Sequence, residues 1–143
     1  MRVLSKATIY GLRALIYVAS KQNTSGLVTI REISDELEIS FHFLTKTFQV
    51  LTQNGILASY RGPSGGIELL KSADQIFLLE LVRILEGDDF FTKCLLGLPD
   101  CGATKPCPVH NFWKNVKGDL EFEFANTSLG HLAEQLSIGN MRL

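Results

Sequence analysis

The stretch from Thr29 to Leu70 constrains the fold more than any other. It opens with Thr29-Ile30-Arg31-Glu32, a capping box in which the threonine hydroxyl caps a helix and the glutamate reaches back to the Thr29 amide. A short helix burying Ile30, Ile33 and Leu37 is expected behind it, ending in a turn at Glu38-Ile39. Ser40 then reads as the N-cap of a second helix over residues 41–53. Phe43 or Leu44, Phe48 and Leu51 face inward, and Asn54-Gly55 stops it. Two short helices joined by a tight turn, the second longer, make the helix-turn-helix layout. Residues 56–60 and 67–70 follow as strands around the turn Arg61-Gly62-Pro63-Ser64-Gly65-Gly66. A hairpin directly after such a helix is a wing.

On this layout Ser40, Phe41, His42, Thr45, Lys46 and Gln49 alternate with the core positions of the second helix. Ser, Thr, His, Gln and Lys are types that reach base edges and phosphates. At the wing, Arg61, Gly62 and Ser64 can come close to a sugar–phosphate backbone, with Arg61 binding phosphate or entering a minor groove. A solvated helix face, or a scaffold for a protein partner, would carry the same pattern. Charge is a weak guide. The net value is −1, but residues 1–71 hold eight Lys/Arg against five Asp/Glu and residues 72–143 hold six against ten.

Ahead of the capping box, residues 4–20 are almost continuously apolar. Ile9, Leu12, Leu15, Ile16 and Ala19 keep helical spacing, and residues 22–26 end the helix. Behind the wing, Ser72-Ala73-Asp74 caps a helix over 75–85 striped by Ile76, Leu79, Val82 and Leu85. A long helix over 110–125 carries Phe112, Trp113, Val116, Leu120 and Phe124 on one side. Thr127 caps a last helix with Leu129, Leu132 and Leu136, and residues 137–143 are expected to fray. Such an aromatic stripe is usually core, and in so small a chain it can be core shared between two subunits.

All three cysteines fall in one Gly/Pro-rich segment, Cys94, Cys101 and Cys107, spaced C-x6-C-x5-C, with His110 two residues further on. Converging thiolates and an imidazole are what a metal or iron–sulfur centre needs. A structural zinc site would take the same ligands. A metal-free thiol switch, or cysteines buried as small hydrophobes, are the alternatives. The odd count disfavours a disulfide framework. There are no paired carboxylates or nucleophile–base pattern, and the wing turn lacks a P-loop ending, so an enzyme is not expected. No apolar run approaches membrane-span length. Lys6 and Arg13 break the opening apolar pattern with no cleavage site after it, so a cytoplasmic location is expected.

Together these parts resemble the IscR/NsrR-type (Rrf-type) bacterial transcription regulators. The matching residues are Met1-Arg2-Val3-Leu4-Ser5-Lys6, Tyr10-Gly11-Leu12-Arg13-Ala14-Leu15, Ile39 to Leu44, Asn54-Gly55-Ile56-Leu57, the wing turn, and the cysteine loop with His110 and Phe112-Trp113. The resemblance implies a mainly α fold with a small β-hairpin wing. A winged helix-turn-helix would occupy residues 1–86, a cysteine-rich sensor loop 87–110, and a dimerisation helix with a C-terminal helix 111–143. It implies a homodimer on a palindromic operator in double-stranded DNA, sensing iron–sulfur status, nitric oxide or redox state. Cys94, Cys101 and Cys107 look like thiolate ligands of a cluster, two-iron ahead of four-iron. IscR-like members place a histidine where His110 stands. NsrR-like members use an acid in the first helix, where this chain has Thr8.

Overall fold

The computed structural model describes residues 3–22, 26–99, 102, 104–139 and 141–143. Helix α1 (Lys6–Lys21) starts at Ser5, whose hydroxyl accepts the Thr8 amide. The expected stripe is rotated: Thr8, Gly11, Ala14, Leu15, Val18 and Ala19 are buried, while Ile9 is exposed. A helix apolar nearly all round leaves its inner face to be chosen by its neighbours. Of residues 22–26, only Gln22 and Gly26 lie within the described chain; Gln22 caps the helix end.

Helices α2 (Ile30–Leu37) and α3 (Phe41–Gln53) form the helix-turn-helix. Glu38 turns the chain in a left-handed conformation (φ 54°), and Ser34 Oγ donates to the Ile39 carbonyl. Ser40 caps α3 as its sequence suggests, and Leu44, Thr47, Phe48 and Leu51 point inward. The antiparallel wing pairs β1 (Leu57–Tyr60) with β2 (Gly66–Leu69) in the register Leu57 opposite Leu69. Ile56 precedes the ladder and Leu70 follows it, so each strand lies one residue off the expected span. Val28 exchanges two backbone bonds with Ile67, adding a short third edge that the sequence did not reveal.

Beyond the wing the expected helix start is corrected. Ser72 caps only a 3-10 turn (Ala73–Gln75), and α4 begins at Leu78 and runs to Glu86. Between them, Ile76 and Phe77 are extended and pair with the segment before the last helix: Leu78 N–H donates to Thr127 O, and Leu129 N–H to Ile76 O. A second 3-10 turn (Phe90–Thr92) leads to the cysteine loop, then to α5 (His110–Asn126) and α6 (Leu129–Ile138). The cap of α6 is Ser128, not Thr127; the Thr127 hydroxyl bonds back to Glu123 O.

Helix α6 returns along α1, and Leu129 and Ala133 join Leu15, Val18, Leu44, Leu51, Ile56 and Leu81 in one core. The tail does not simply fray. Helix persists to Ile138, and Arg13 donates to the carbonyl of Leu143 at 2.8 Å. Helix α5 buries no residue at all: Phe112 is 63% and Phe122 66% exposed.

Candidate nucleic-acid interface and metal centre

Helix α3 and its cap carry Ser40, His42, Lys46 and Gln49 as exposed side chains. Thr45, half-buried, spends its hydroxyl proton on Phe41 O (2.8 Å) and keeps oxygen lone pairs for acceptance. A groove between α3 and the wing collects Thr45 and Gln49 with Ser59 and Arg61. Phe41 stands apart from these residues. It is half-buried, with the Arg31 guanidinium 4.6 Å above its ring and His42 edge-on at 6.0 Å.

The wing tip closes through Gly65 N–H to Gly62 O at 2.9 Å, with Gly62 at φ 98°, a left-handed conformation that costs other residues strain. Arg61, Gly62 and Ser64 are all exposed there. Tyr60 donates to Glu68 across the hairpin at 2.9 Å. That bond and the carboxylate charge hold its hydroxyl proton more tightly than usual. Two features escaped the sequence reading: Arg31, seen only as part of a capping box, and Tyr17, whose hydroxyl takes the Glu32 carboxylate at 2.9 Å. Half of the capping box stands, since Thr29 Oγ1 accepts Glu32 N–H at 3.0 Å.

In the cysteine loop, Cys94 and Cys107 are thiols, both half-buried, with their sulfurs 3.7 Å apart. Cys101 lies outside the described residues. His110 begins α5, and its backbone N–H donates to the Cys107 carbonyl at 3.0 Å. Among the described residues, no three His, Cys, Asp or Glu side chains form a metal-holding group.

The donor chemistry still fits a tetrahedral soft-ligand centre. Two thiolates on one such ion at about 2.3 Å are about 3.8 Å apart, so the Cys94–Cys107 pair already has that bite. The loop is anchored at its entry. Trp113 Nε1 and Lys117 Nζ both donate to the Lys93 carbonyl, at 2.9 and 3.1 Å, directly before Cys94. Upstream, the Glu86 carboxylate accepts the Ser5 amide at the start of α1. Burial raises the Glu86 pKa, but the bonds from Ser5 and Thr8 and the charge of Lys93 outweigh it and hold the carboxyl below its usual range. Thr8, fully buried, therefore faces a carboxylate supplied by α4.

The Rrf2 family, described as an iron-dependent transcriptional regulator, matches residues 4–135. The chain belongs to the Rrf2 family. It is 33% identical over 138 residues to the HTH-type transcriptional regulator IscR of Cronobacter sakazakii, covering 96% of this chain and 83% of that one. Its fold is similar to that of CymR, the global cysteine regulator of B. subtilis, with a TM-score of 0.78, 26% identity and coverage of 94% and 98%. An oxidized form of Staphylococcus aureus CymR is also similar, at a TM-score of 0.73, 26% identity and coverage of 94% and 97%. This Rrf2-family chain is thus a winged-helix transcription regulator and not an enzyme. None of its described helices is long and apolar enough to cross a membrane.

Proposed function

We propose that this Rrf2-family protein is a cytoplasmic, homodimeric DNA-binding regulator whose loop holds an iron–sulfur cluster. Cys94, Cys101, Cys107 and His110 are the ligands, and the two-iron form is preferred to the four-iron form. The observation that carries the reading is the pair of thiols 3.7 Å apart on an anchored loop. The IscR name of a relative at 33% identity supports it. When bound, a cluster supplies a centre that oxidation, nitric oxide or iron scarcity can alter.

The chain's own residues supply the rest. Trp113 and Lys117 fix the loop to α5, and Glu86 fixes the preceding α4 to α1, which packs on α3. A change in loop charge or order thereby reaches the proposed DNA-reading head (residues 1–86) and the proposed dimerisation helix and C-terminal helix (residues 111–143), the latter packed on α1. Two copies of α3 would read successive major grooves of a palindromic operator about one turn apart. Ser40, Phe41, His42, Thr45, Lys46, Gln49, Arg61, Gly62 and Ser64 form the proposed DNA-facing set.

A second reading keeps the DNA-binding half and makes the loop a zinc site or thiol switch. The same sulfur spacing suits zinc, and a CymR relative has been solved in an oxidized form. Anaerobic purification with a visible spectrum and iron, sulfide and zinc analysis separates the readings. A coloured protein with matching iron and sulfide supports the cluster. Colourless protein with stoichiometric zinc supports the structural site. Colourless, metal-free protein that resists reconstitution leaves the thiol switch.

A further inference from the structure

We propose that Arg31 is a DNA-contacting residue: its guanidinium, laid over the Phe41 ring, seats a backbone phosphate between α2 and the wing. The inference rests on the DNA-binding reading and extends it to a helix that reading did not use. Arg31 is exposed at the start of α2, with its guanidinium carbon 4.6 Å from the Phe41 centroid. Stacking occupies the face of the planar cation and leaves its N–H edges free to fork onto a phosphate. It also narrows the rotamers, so less side-chain entropy remains to be lost on binding.

Among the described residues, no carboxylate lies within ion-pair distance of this cation. Glu32 is engaged by Tyr17, and the ion pairs among the described residues are Lys71–Glu80, Arg83–Glu121 and Lys93–Asp89. Arg13 and Arg83, by contrast, are spent on backbone carbonyls and on the exposed Glu121 carboxylate.

The surroundings suit an anion. Arg31 and Phe41 line one wall of a concave strip whose other wall is the wing, at Tyr60, Gly62 and Gly65, and no acidic side chain lines it. This strip meets the groove holding Arg61 at Ile30, Ser59 and Ile67. A DNA strand following the outer face would pass both cations. In a helix-turn-helix protein the first helix of the pair crosses the backbone, so a cation at its start lies where a phosphate runs.

The test is fluorescence anisotropy of the full chain on a mixed-sequence duplex of roughly 30 base pairs, about three helical turns, between about 50 and 200 mM salt. Arg31→Gln keeps the stem over Phe41 and removes the charge, and Arg31→Lys keeps the charge. Arg31→Gln is expected to weaken binding about three- to tenfold at low salt and to lower the salt slope by about 0.9, one phosphate's worth. Arg31→Lys is expected to restore the slope and part of the affinity. An Arg31→Gln protein with the wild-type slope and affinity overturns the proposal while wild-type binding leaves the DNA reading intact. Wild-type protein that binds no duplex removes both. Loss of affinity with an unchanged slope would mark Arg31 as structural and also overturn the proposal.

Discussion

Tyr17 joins α1 to α2 through one hydroxyl, and its proton is held unusually tightly. Burial, then the hydrogen bond to Glu32, then the negative charges of Glu32 and Glu36, push its pKa to about 12. Because the folded value exceeds the ordinary one of about 10, the folded state retains a proton that the unfolded chain releases first. The stabilisation is therefore complete below about pH 10 and is lost as pH rises toward about 12. Tyr17→Phe should lower stability by about 0.5–1 kcal/mol near neutrality. The gap to wild type should shrink across that alkaline window in urea titrations; a gap that stays constant would remove the hydroxyl from the account. Gly65 acts at the same scale. A β-carbon there would overlap the Tyr60 carbonyl oxygen and the Arg61 backbone. Gly65→Ala should therefore distort the wing tip and weaken duplex binding, with little change in melting temperature because Gly65 lies outside the core. The capping box shows what one residue reveals. Thr29 on the Glu32 amide is a local bond and legible in sequence, whereas the Glu32 carboxylate depends on a tyrosine fifteen positions away in sequence.

At the scale of elements, α3 was legible to the residue because its signals are local: Ser40 at the start and Asn54-Gly55 at the end. Helix α4 was not. Ile76 and Phe77 are held extended by pairing with residues 127–129, a contact across some fifty residues that leaves no periodic trace. The loop's supports were equally hidden, since Trp113 looked like one more apolar residue in a stripe. Its indole N–H on Lys93 O leads to a prediction. Trp113→Phe should leave the helices intact but loosen the Cys94 side of the loop, seen as faster thiol labelling and weaker retention of iron or zinc; unchanged labelling would count against the anchor. Glu86 makes the corresponding tie between α4 and α1. Its carboxyl is held below the usual range, so its contribution is present above the ordinary carboxylate pKa and fades as pH falls through the depressed folded value. Glu86→Gln should cost about 1–2 kcal/mol at neutral pH and progressively less in acid. Equal losses at both ends of that range would point to packing instead of charge.

For the whole molecule, the decisive fact is a long helix with no fully buried residue. Phe112, Val116 and Phe122 on α5, with Leu95, Leu96 and Leu98 in the loop, all stand exposed in the single chain. A buried aromatic ring covers roughly 150–250 Å², so leaving two of them in water forgoes several kcal/mol that a partner surface would recover. The sequence showed a stripe of Phe112, Trp113, Val116, Leu120 and Phe124. In the fold Trp113, Leu120 and Phe124 are half-buried on the side that meets α4, α6 turns away to α1, and Phe112 and Val116, with Phe122, stay exposed. A second copy of α5 is the cover we propose, which sets the two heads at a fixed spacing. Phe122→Asp places a charge in that surface without touching the core of the head. In light scattering it should convert a dimer mass to a monomer mass, with helical content by circular dichroism retained. Each head would then meet its half-site alone, and loss of the linked second contact should reduce operator affinity by about a hundredfold. A Phe122→Asp protein that remained dimeric and bound as tightly as wild type would move the interface off this face of α5.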